Sequence, residues 1–380
     1  MVGFAAKSTI IPGIRTILAC LLVSAMTYGQ NTTAERPQMA DEVFKNVQVL
    51  KGIPVNEFLG IMGFFSASLG KSCVDCHDSD SGWENYVADK NPNKRTARRM
   101  IEMVSTINKN FFGDAQGVTC YSCHRGGPSP KLTPNLTALY SPPAETEADD
   151  VVQQAPGAPS ADQILDKYLQ ALGGAQRVAG LTSFAAKGTT VGYGLDAEKR
   201  PLEIFAKAPD QRATVIQEEK GTTTTIYDGR SGWIAAPNLP LPVLPLTGGE
   251  LDGAGLDAAL SFPARIKQAF TRWRVGVPVD IEDREVQVLQ GTTAAGNIAT
   301  LYFDSKSGLL MRIIRYARSP VGRLPTQIDY SEYRDVAGVK MPFRWNILWL
   351  DGRETVELTE VRPNVPIDNA KFAKPAPPGR

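Results

Sequence analysis

The sequence predicts two folded parts of different class: an all-α N-terminal domain and a C-terminal α+β domain on a largely antiparallel sheet. Three observations carry that reading. Residues 40 to 126 space their apolar side chains at the helical period. Residues 127 to 159 are broken repeatedly by proline. Beyond residue 160, apolar residues alternate with a period of two between turn signals.

At 380 residues the chain is long enough for two separate cores. Its 41 Lys and Arg stand against 40 Asp and Glu, so there is no basic surplus and nucleic acid is excluded as the expected partner. Residues 1 to 29 read as an export signal. Lys7 and Arg15 precede the apolar run Thr16–Ala25, and small residues at Thr27 and Gly29 place cleavage after Gly29. The run is shorter than the ~20 apolar residues of a membrane span. The expected location is therefore periplasmic, or otherwise outside the cytoplasmic membrane. Cys20 lies inside the run with Arg15 only five residues upstream, which argues against a lipid anchor there.

Within the N-terminal domain, residues 30 to 126, three helices are expected. Val43, Val47 and Leu50 give the segment Met39–Leu50 a helical stripe, closed by Gly52 and Pro54. A second helix starts at Pro54 and runs through Phe58, Leu59, Met62 and Phe65 to a stop at Gly70. The third runs from Pro92 to Asn108, with Met100, Ile101, Val104 and Ile107 on its apolar side. Residues 127 to 159 form a proline-rich linker with an acidic cluster from Glu145 to Asp150.

The C-terminal domain, residues 160 to 380, opens with a helix capped by Ser160 and stopped at Gly173-Gly174. Strands follow. Phe343, Trp345, Ile347 and Trp349 alternate with Arg344, Asn346 and Leu348, and Asp351-Gly352 turns the chain into a strand bearing Val356 and Leu358. Further turns fall at Asp228-Gly229, Ser305–Gly308 and Asp335–Gly338, and a short helix begins near Pro263.

The chemistry is concentrated in one repeated pattern. Cys73-Val-Asp-Cys76-His77 recurs as Cys120-Tyr-Ser-Cys123-His124. Cys-x-x-Cys-His is the attachment signature of haem c: two thiols one turn apart add to the haem vinyl groups, and the next residue offers an imidazole to the iron. A redox dithiol needs no following histidine, and a zinc site on Cys73, Cys76, Cys120 and Cys123 leaves a histidine unexplained after each pair. Two covalent haems c are the reading.

The chain has only two histidines, and both are used by these motifs. The sixth iron ligand is then methionine, a rarer donor, water or nothing; a thioether raises the reduction potential. Met62 precedes His77 on the helix ending at Gly70, while Met100 and Met103 share the helix before His124. The plain alternative is that each methionine only fills space in a core. Lys90, Lys94, Arg95, Arg98 and Arg99 offer cations for haem propionates or for an acidic redox partner, or else make up a solvated helix face.

The stretches Asn46–Pro54, Met62–Ser66, Ala97–Met103 and Val118–Gly126 resemble the cytochrome subunit of photosynthetic reaction centres over residues 40 to 130. In that family each of several haems sits against a helix whose methionine is the sixth ligand. The resemblance implies that Met62 pairs with His77 and Met100 with His124, in an all-α dihaem cytochrome c domain that passes electrons to a redox partner protein or a quinone pool. The family's well-known members carry four haem sites, one with a distal histidine, whereas this chain has two sites and no spare histidine. Electron donation is implied, photosynthesis is not.

Residues 160 to 376 are similar in pattern to outer-membrane lipoprotein-sorting carriers. That likeness implies an open half-barrel over helices, with a cavity for a lipid or other hydrophobic ligand and an apolar lid at Pro237–Leu246. No histidine is left there for a Ser-His-Asp or Cys-His arrangement. An electron-transfer protein without a catalytic residue is therefore expected. The alternatives are a peroxidase-type enzyme with one open haem site and a lipid- or quinone-binding module served by its haems.

Overall fold

A computed structural model describes residues 36–77, 85–113, 115–141, 152–192 and 198–377. The expected export signal and Cys20 lie outside the described residues. Pro37–Arg380 forms one compact unit.

Five helices come first: α1 (Ala40–Val43), α2 (Val55–Leu69), α3 (Pro92–Phe112), α4 (Cys120–His124) and α5 (Leu136–Leu139). The helix expected over Met39–Leu50 is cut to one turn. Asn46, Leu50 and Gly52 all take positive φ, and the chain doubles back so that Met39 bridges Pro54. Asp41 fixes that reversal by accepting the Gly52 N–H at 2.8 Å. The helical spacing of Val43, Val47 and Leu50 is overruled by this local turn chemistry.

α2 follows expectation, with Pro54 at its N-cap and Gly70 ending it at φ 58°. Glycine is required at Gly70 twice over. The left-handed conformation disfavours a side chain, and a Cβ would strike the carbonyl oxygen of Gly126. α3 is capped by Asn91, whose side chain accepts the Asn93 N–H, carries Pro92 in its first turn and ends at Gly113, φ 59°. It runs four residues past Asn108.

Fourteen strands form one antiparallel sheet among the described residues. They are β1 (Ser183–Gly192), β2 (Arg200–Lys207), β3 (Gln211–Glu218), β4 (Gly221–Tyr227), β5 (Gly232–Ala235), β6 (Val243–Pro245), β7 (Arg272–Val275), β8 (Val279–Ile281), β9 (Arg284–Thr292), β10 (Ile298–Asp304), β11 (Leu310–Ser319), β12 (Gly322–Val336), β13 (Val339–Trp349) and β14 (Gly352–Pro363). The order is β6-β5-β4-β3-β2-β1-β14-β13-β12-β11-β10-β9-β7, with β8 also on β9. It is two meanders, β1–β6 and β9–β14, joined where β14 pairs with β1; β7 and β8 both pair with β9, and β6 and β7 end the order on opposite sides, so the sheet is open. The Asp351-Gly352 turn joins β13 to β14 as expected.

Three further helices lie against one face: α6 (Ala161–Ala171), α7 (Ala175–Ala179) and α8 (Gly248–Leu260). Leu165, Leu172, Val178 and Leu256 from these helices share a core with Phe262 and Ile266 of the short turn Pro263–Gln268 region and with Leu202, Ile204, Leu289, Leu301, Phe303 and Ile313 from the strands. Each such side chain, fully buried, contributes about 1.5–3 kcal/mol. Pro237–Leu246 is not a free lid: Val243–Pro245 hydrogen-bonds to β5 as an edge strand, with Leu244 and Leu246 buried.

The helical segment is joined to the sheet through an apolar cluster of its own. Ile53, Ile61 and Phe64 pack with Val321 and Leu324 of the β11–β12 hairpin. The hydroxyl of Thr247, the N-cap of α8, lies 2.7 Å from Asn56 Oδ1 and 2.6 Å from Glu57 Oε1 on α2, sharing its one hydrogen between them. Part of the expected linker is likewise held down: Ala155 donates to the Val275 carbonyl, and Gln154 accepts the Val275 N–H.

Candidate functional site

The first Cys-x-x-Cys-His motif is a tight 3₁₀ turn over Cys73–Asp75, in which the N–H groups of Cys76 and His77 both return to the Cys73 carbonyl. A capping box starts it. Asp75 accepts from the N–H and the hydroxyl of Ser72, each at 2.8 Å. Asn91 and Asn93 clamp the same turn to the start of α3 by donating to the Asp75 carbonyl at 2.9 and 2.8 Å.

Cys73 is exposed and Cys76 half-buried, and burial pushes the Cys76 thiol pKa up. The half-buried His77 ring stacks on Tyr86 at 4.5 Å between centroids, 20° from parallel. Its Nδ1 is buried with no hydrogen-bond partner among the described residues. Burial, with the nearby Lys94 charge, moves the imidazole pKa down and favours the neutral ring that metal ligation needs.

The second motif is one α-helical turn, α4. Thr119 starts it, donating its N–H to the Ser122 hydroxyl at 3.0 Å, and Arg125 ends it at φ 49°. His124 Nδ1 lies 3.0 Å from the Gly127 carbonyl oxygen. A carbonyl only accepts, so the proton is on Nδ1 and the Nε2 lone pair is left for a metal. This is the outer-sphere hydrogen bond that fixes the tautomer and orientation of metal-bound histidines.

α4 is held from three sides. Gly126 donates to the Ser68 carbonyl at the end of α2, Lys131 donates to the Cys123 carbonyl, and buried Asn108 of α3 makes a two-way pair with Val118. In that pair the Asn108 amide donates to the Val118 carbonyl at 2.9 Å and accepts the Val118 N–H at 3.0 Å.

Cys120 packs in the same apolar cluster as Leu50, Phe58, Met62 and Phe65, and burial pushes its thiol pKa up. A crevice of about 410 Å³ opens beside it, lined by Val49, Leu50, Ile101, Val104 and Val321. Met62 is thus brought beside the second motif as well as lying on the helix that leads to the first. Met100 and Met103 sit on the outer side of α3, 39 % and 44 % exposed, with Phe111 on the same side. Of the five cations, Lys94 and Arg98 are engaged with Asp89 at 3.4 and 2.9 Å, and Arg95 donates to the Asp89 carbonyl. They brace the loop that carries Tyr86.

Tyr86, Asn108 and the Gly127 carbonyl are site groups that the spacing of the motifs does not reveal. Asp75 is legible, since Ser72-x-x-Asp75 is a capping-box pattern. None of the four motif cysteines is in a disulfide, and among the described residues no three His, Cys, Asp or Glu side chains converge on one metal point. Each motif stands as its own Cys-Cys-His unit.

Residues 17–172 match the photosynthetic reaction centre cytochrome C subunit family. The photosynthetic reaction center cytochrome c subunit of Thermochromatium tepidum is 40% identical over 96 residues, 24% of this chain and 23% of that protein. The subunit of Rubrivivax gelatinosus is 38% identical over 96 residues, 24% of this chain and 25% of that protein. Cytochrome c-554 of Chloroflexus aurantiacus is 33% identical over 90 residues, 22% of this chain and 21% of that protein. The chain spans about a quarter of the length of these curated relatives.

Solved structures match at low sequence identity. A DUF1329 family protein from Desulfovibrio piger has a TM-score of 0.41 at 12% identity, covering 56% of this chain and 96% of its own. A LolA superfamily protein from Nitrosomonas europaea has a TM-score of 0.39 at 15% identity, covering 57% and 99%.

The resemblance to reaction-centre cytochromes read from the motifs is shown by these matches, and it implies covalently bound haem c. The donors fit that group: paired free thiols, a histidine with Nε2 left for a metal, and a crevice of mixed apolar and polar lining at Cys120. No helix among the described residues is long and apolar enough to cross a membrane.

Proposed function

We propose that the chain is an exported electron carrier with two covalently attached haems c. Cys73, Cys76 and His77 hold one, and Cys120, Cys123 and His124 hold the other. In this reading Met62 would complete the iron's ligand set with His77 and Met100 would do so with His124, with residues 30–126 as the dihaem domain, 127–159 as linker and 160–380 as a carrier of a lipid- or quinone-type ligand. The observation that carries the reading is the His124–Gly127 contact, because it leaves one defined nitrogen for iron in a turn that also presents two thiols.

Haem c supplies an iron that takes up and releases one electron. The residues of this chain do the rest. The thiols would hold the group covalently, each imidazole would supply a nitrogen ligand, and the apolar side chains around Cys120 would exclude water. A thioether ligand would favour the reduced state. The electron acceptor in this reading is a redox partner protein or the quinone pool.

The test is a pyridine haemochrome assay and intact mass on the mature protein, followed by spectroscopy. Two haems per chain, the weak near-infrared band of ferric His–Met haem and no carbon monoxide binding are expected. One haem, or none, sinks the proposal. A second reading, a peroxidase-type enzyme with one open site, draws on the 39 % exposure of Met100. It requires a high-spin ferric haem and turnover of hydrogen peroxide.

A further inference from the structure

The concave side of the sheet encloses a cavity of about 340 Å³ between α8 and the strands. Most of its wall is apolar, with Phe184, Leu202, Ile204, Ile328, Trp345 and Val356 among the lining. Such a size and lining suit a small amphiphile. Its polar groups are distributed unevenly, and that unevenness names the ligand.

Two guanidiniums line the cavity, Arg212 on β3 and Arg315 on β11. Arg315 is already engaged. Its Nη2 lies 3.4 Å from Asp257 on α8, and its guanidinium lies in the gap left by Gly253, where any Cβ would displace it. Among the described residues Arg212 has no carboxylate within ion-pair distance, and the Asp257 charge acts on it only from farther off. Among those residues its guanidinium makes one hydrogen bond, from Nη1 to the Ser261 hydroxyl at 2.8 Å, and Ser261 passes its own hydrogen to the Asp257 carbonyl.

Asp257 lines the cavity too, and three further charged side chains join it. Lys340 is exposed and Glu250 lies in the first turn of α8. Glu354 accepts from Thr190, and burial pushes its pKa up, toward the neutral form. Arg212 therefore keeps a positive charge that no carboxylate among the described residues contacts, with Asp257 compensating it only through space. A guanidinium so placed costs free energy until an anion pairs with it.

The geometry points to a single-chain anionic amphiphile, a long-chain carboxylate, as the occupant, with its head on Arg212 and Ser261 and its tail along Leu202, Ile204 and Trp345. This rests on the reading of residues 160–380 as a ligand carrier and gives it a substrate class. It is independent of the haems.

The test uses the full holoprotein and the fluorescent fatty acid cis-parinaric acid beside its uncharged methyl ester, with quenching of Trp emission as a second signal. The acid is expected to bind at least roughly tenfold more tightly than the ester, the range a charge-assisted hydrogen bond provides. Arg212→Gln removes that preference and leaves the ester unchanged, while Arg212→Lys restores part of it. Acid and ester bound alike, or an alkyl quinone displacing the acid at equal or lower concentration, overturns the anionic class but leaves the carrier reading. Failure of every probe to bind overturns both. Dodecyl phosphate bound more tightly than the fatty acid overturns the carboxylate in favour of a phosphate head.

Discussion

His124 donates from Nδ1 to the carbonyl oxygen of Gly127 at 3.0 Å, and this one contact sets the imidazole's tautomer and plane before any iron is present. Because the acceptor belongs to the backbone, the role is insensitive to the side chains around it. Removing the ring is therefore the informative change. His124→Gly should leave Cys120 and Cys123 able to hold their haem while converting it from low to high spin. Millimolar imidazole should restore the low-spin spectrum. Magnetic circular dichroism of the purified variant checks this, and an unchanged spectrum without imidazole excludes His124 as the ligand.

Met62 and Met100 differ in setting, and their variants should differ accordingly. Met62 is packed with Phe58, Phe65 and Cys120, so Met62→Leu keeps the volume and costs less than about 1.5 kcal/mol of stability. It should nevertheless remove one of two near-infrared His–Met bands. One potential should also fall by on the order of 0.2 V, within the ~0.8 V range that axial ligands command. Met100→Leu should remove the other band, and Met103→Leu should remove neither. Loss of a band in Met103→Leu with none in Met100→Leu reverses that assignment.

What the sequence discloses and what it hides follow from the range of the interactions. α2 is legible because Pro54 and Gly70 terminate it by their own backbone chemistry. The alternation of β13 is legible because one face is buried, with Phe343 and Trp345 inside. The helix expected at Met39–Leu50 fails because Asn46 and Leu50 enter the left-handed region, which asparagine tolerates but the Leu50 side chain does not announce. Pro237–Leu246 reads as an apolar lid because the pairing of its residues Val243–Pro245 with β5 is a long-range event. The motifs name the thiols and imidazoles from spacing alone. Tyr86 under His77 and Asn108 beside Val118 arise only when separate segments meet.

Asn108 tests how strongly α3 fixes the second motif. It is buried, and its amide satisfies both backbone groups of Val118, two residues before Cys120. Asn108→Ala strands a donor and an acceptor, each costing about 1–3 kcal/mol if no water reaches it. A loss of about 2–4 kcal/mol in denaturant unfolding is expected, with covalent haem incorporation at Cys120 and Cys123 reduced in proportion. Asn108→Asp keeps the acceptor for Val118 N–H and loses the donor, so it should fall between wild type and Ala. A loss under 0.5 kcal/mol in the Ala variant shows that the pair does not position α4.

Glu354 carries the pH dependence most readily separated from the haems. It lines the cavity on β14, opposite Gly192 of β1, and burial raises its pKa above the ordinary carboxylate value even though Thr190 donates to it. A raised folded pKa means the folded state holds the proton more tightly than the unfolded chain. Its contribution is therefore fully present below the free-glutamate value of ~4.3. It is lost as the pH rises through the folded pKa and does not return above it. Glu354→Gln mimics the protonated form and keeps an oxygen for Thr190. The variant should unfold at a higher temperature than wild type at pH 7, and the difference should shrink on acidification and vanish below about pH 4. Thermal unfolding of both proteins from pH 3.5 to 7.5, followed by far-ultraviolet circular dichroism, measures it. A variant less stable than wild type at pH 7 means the carboxylate is stabilised there in its charged form, most directly by Thr190.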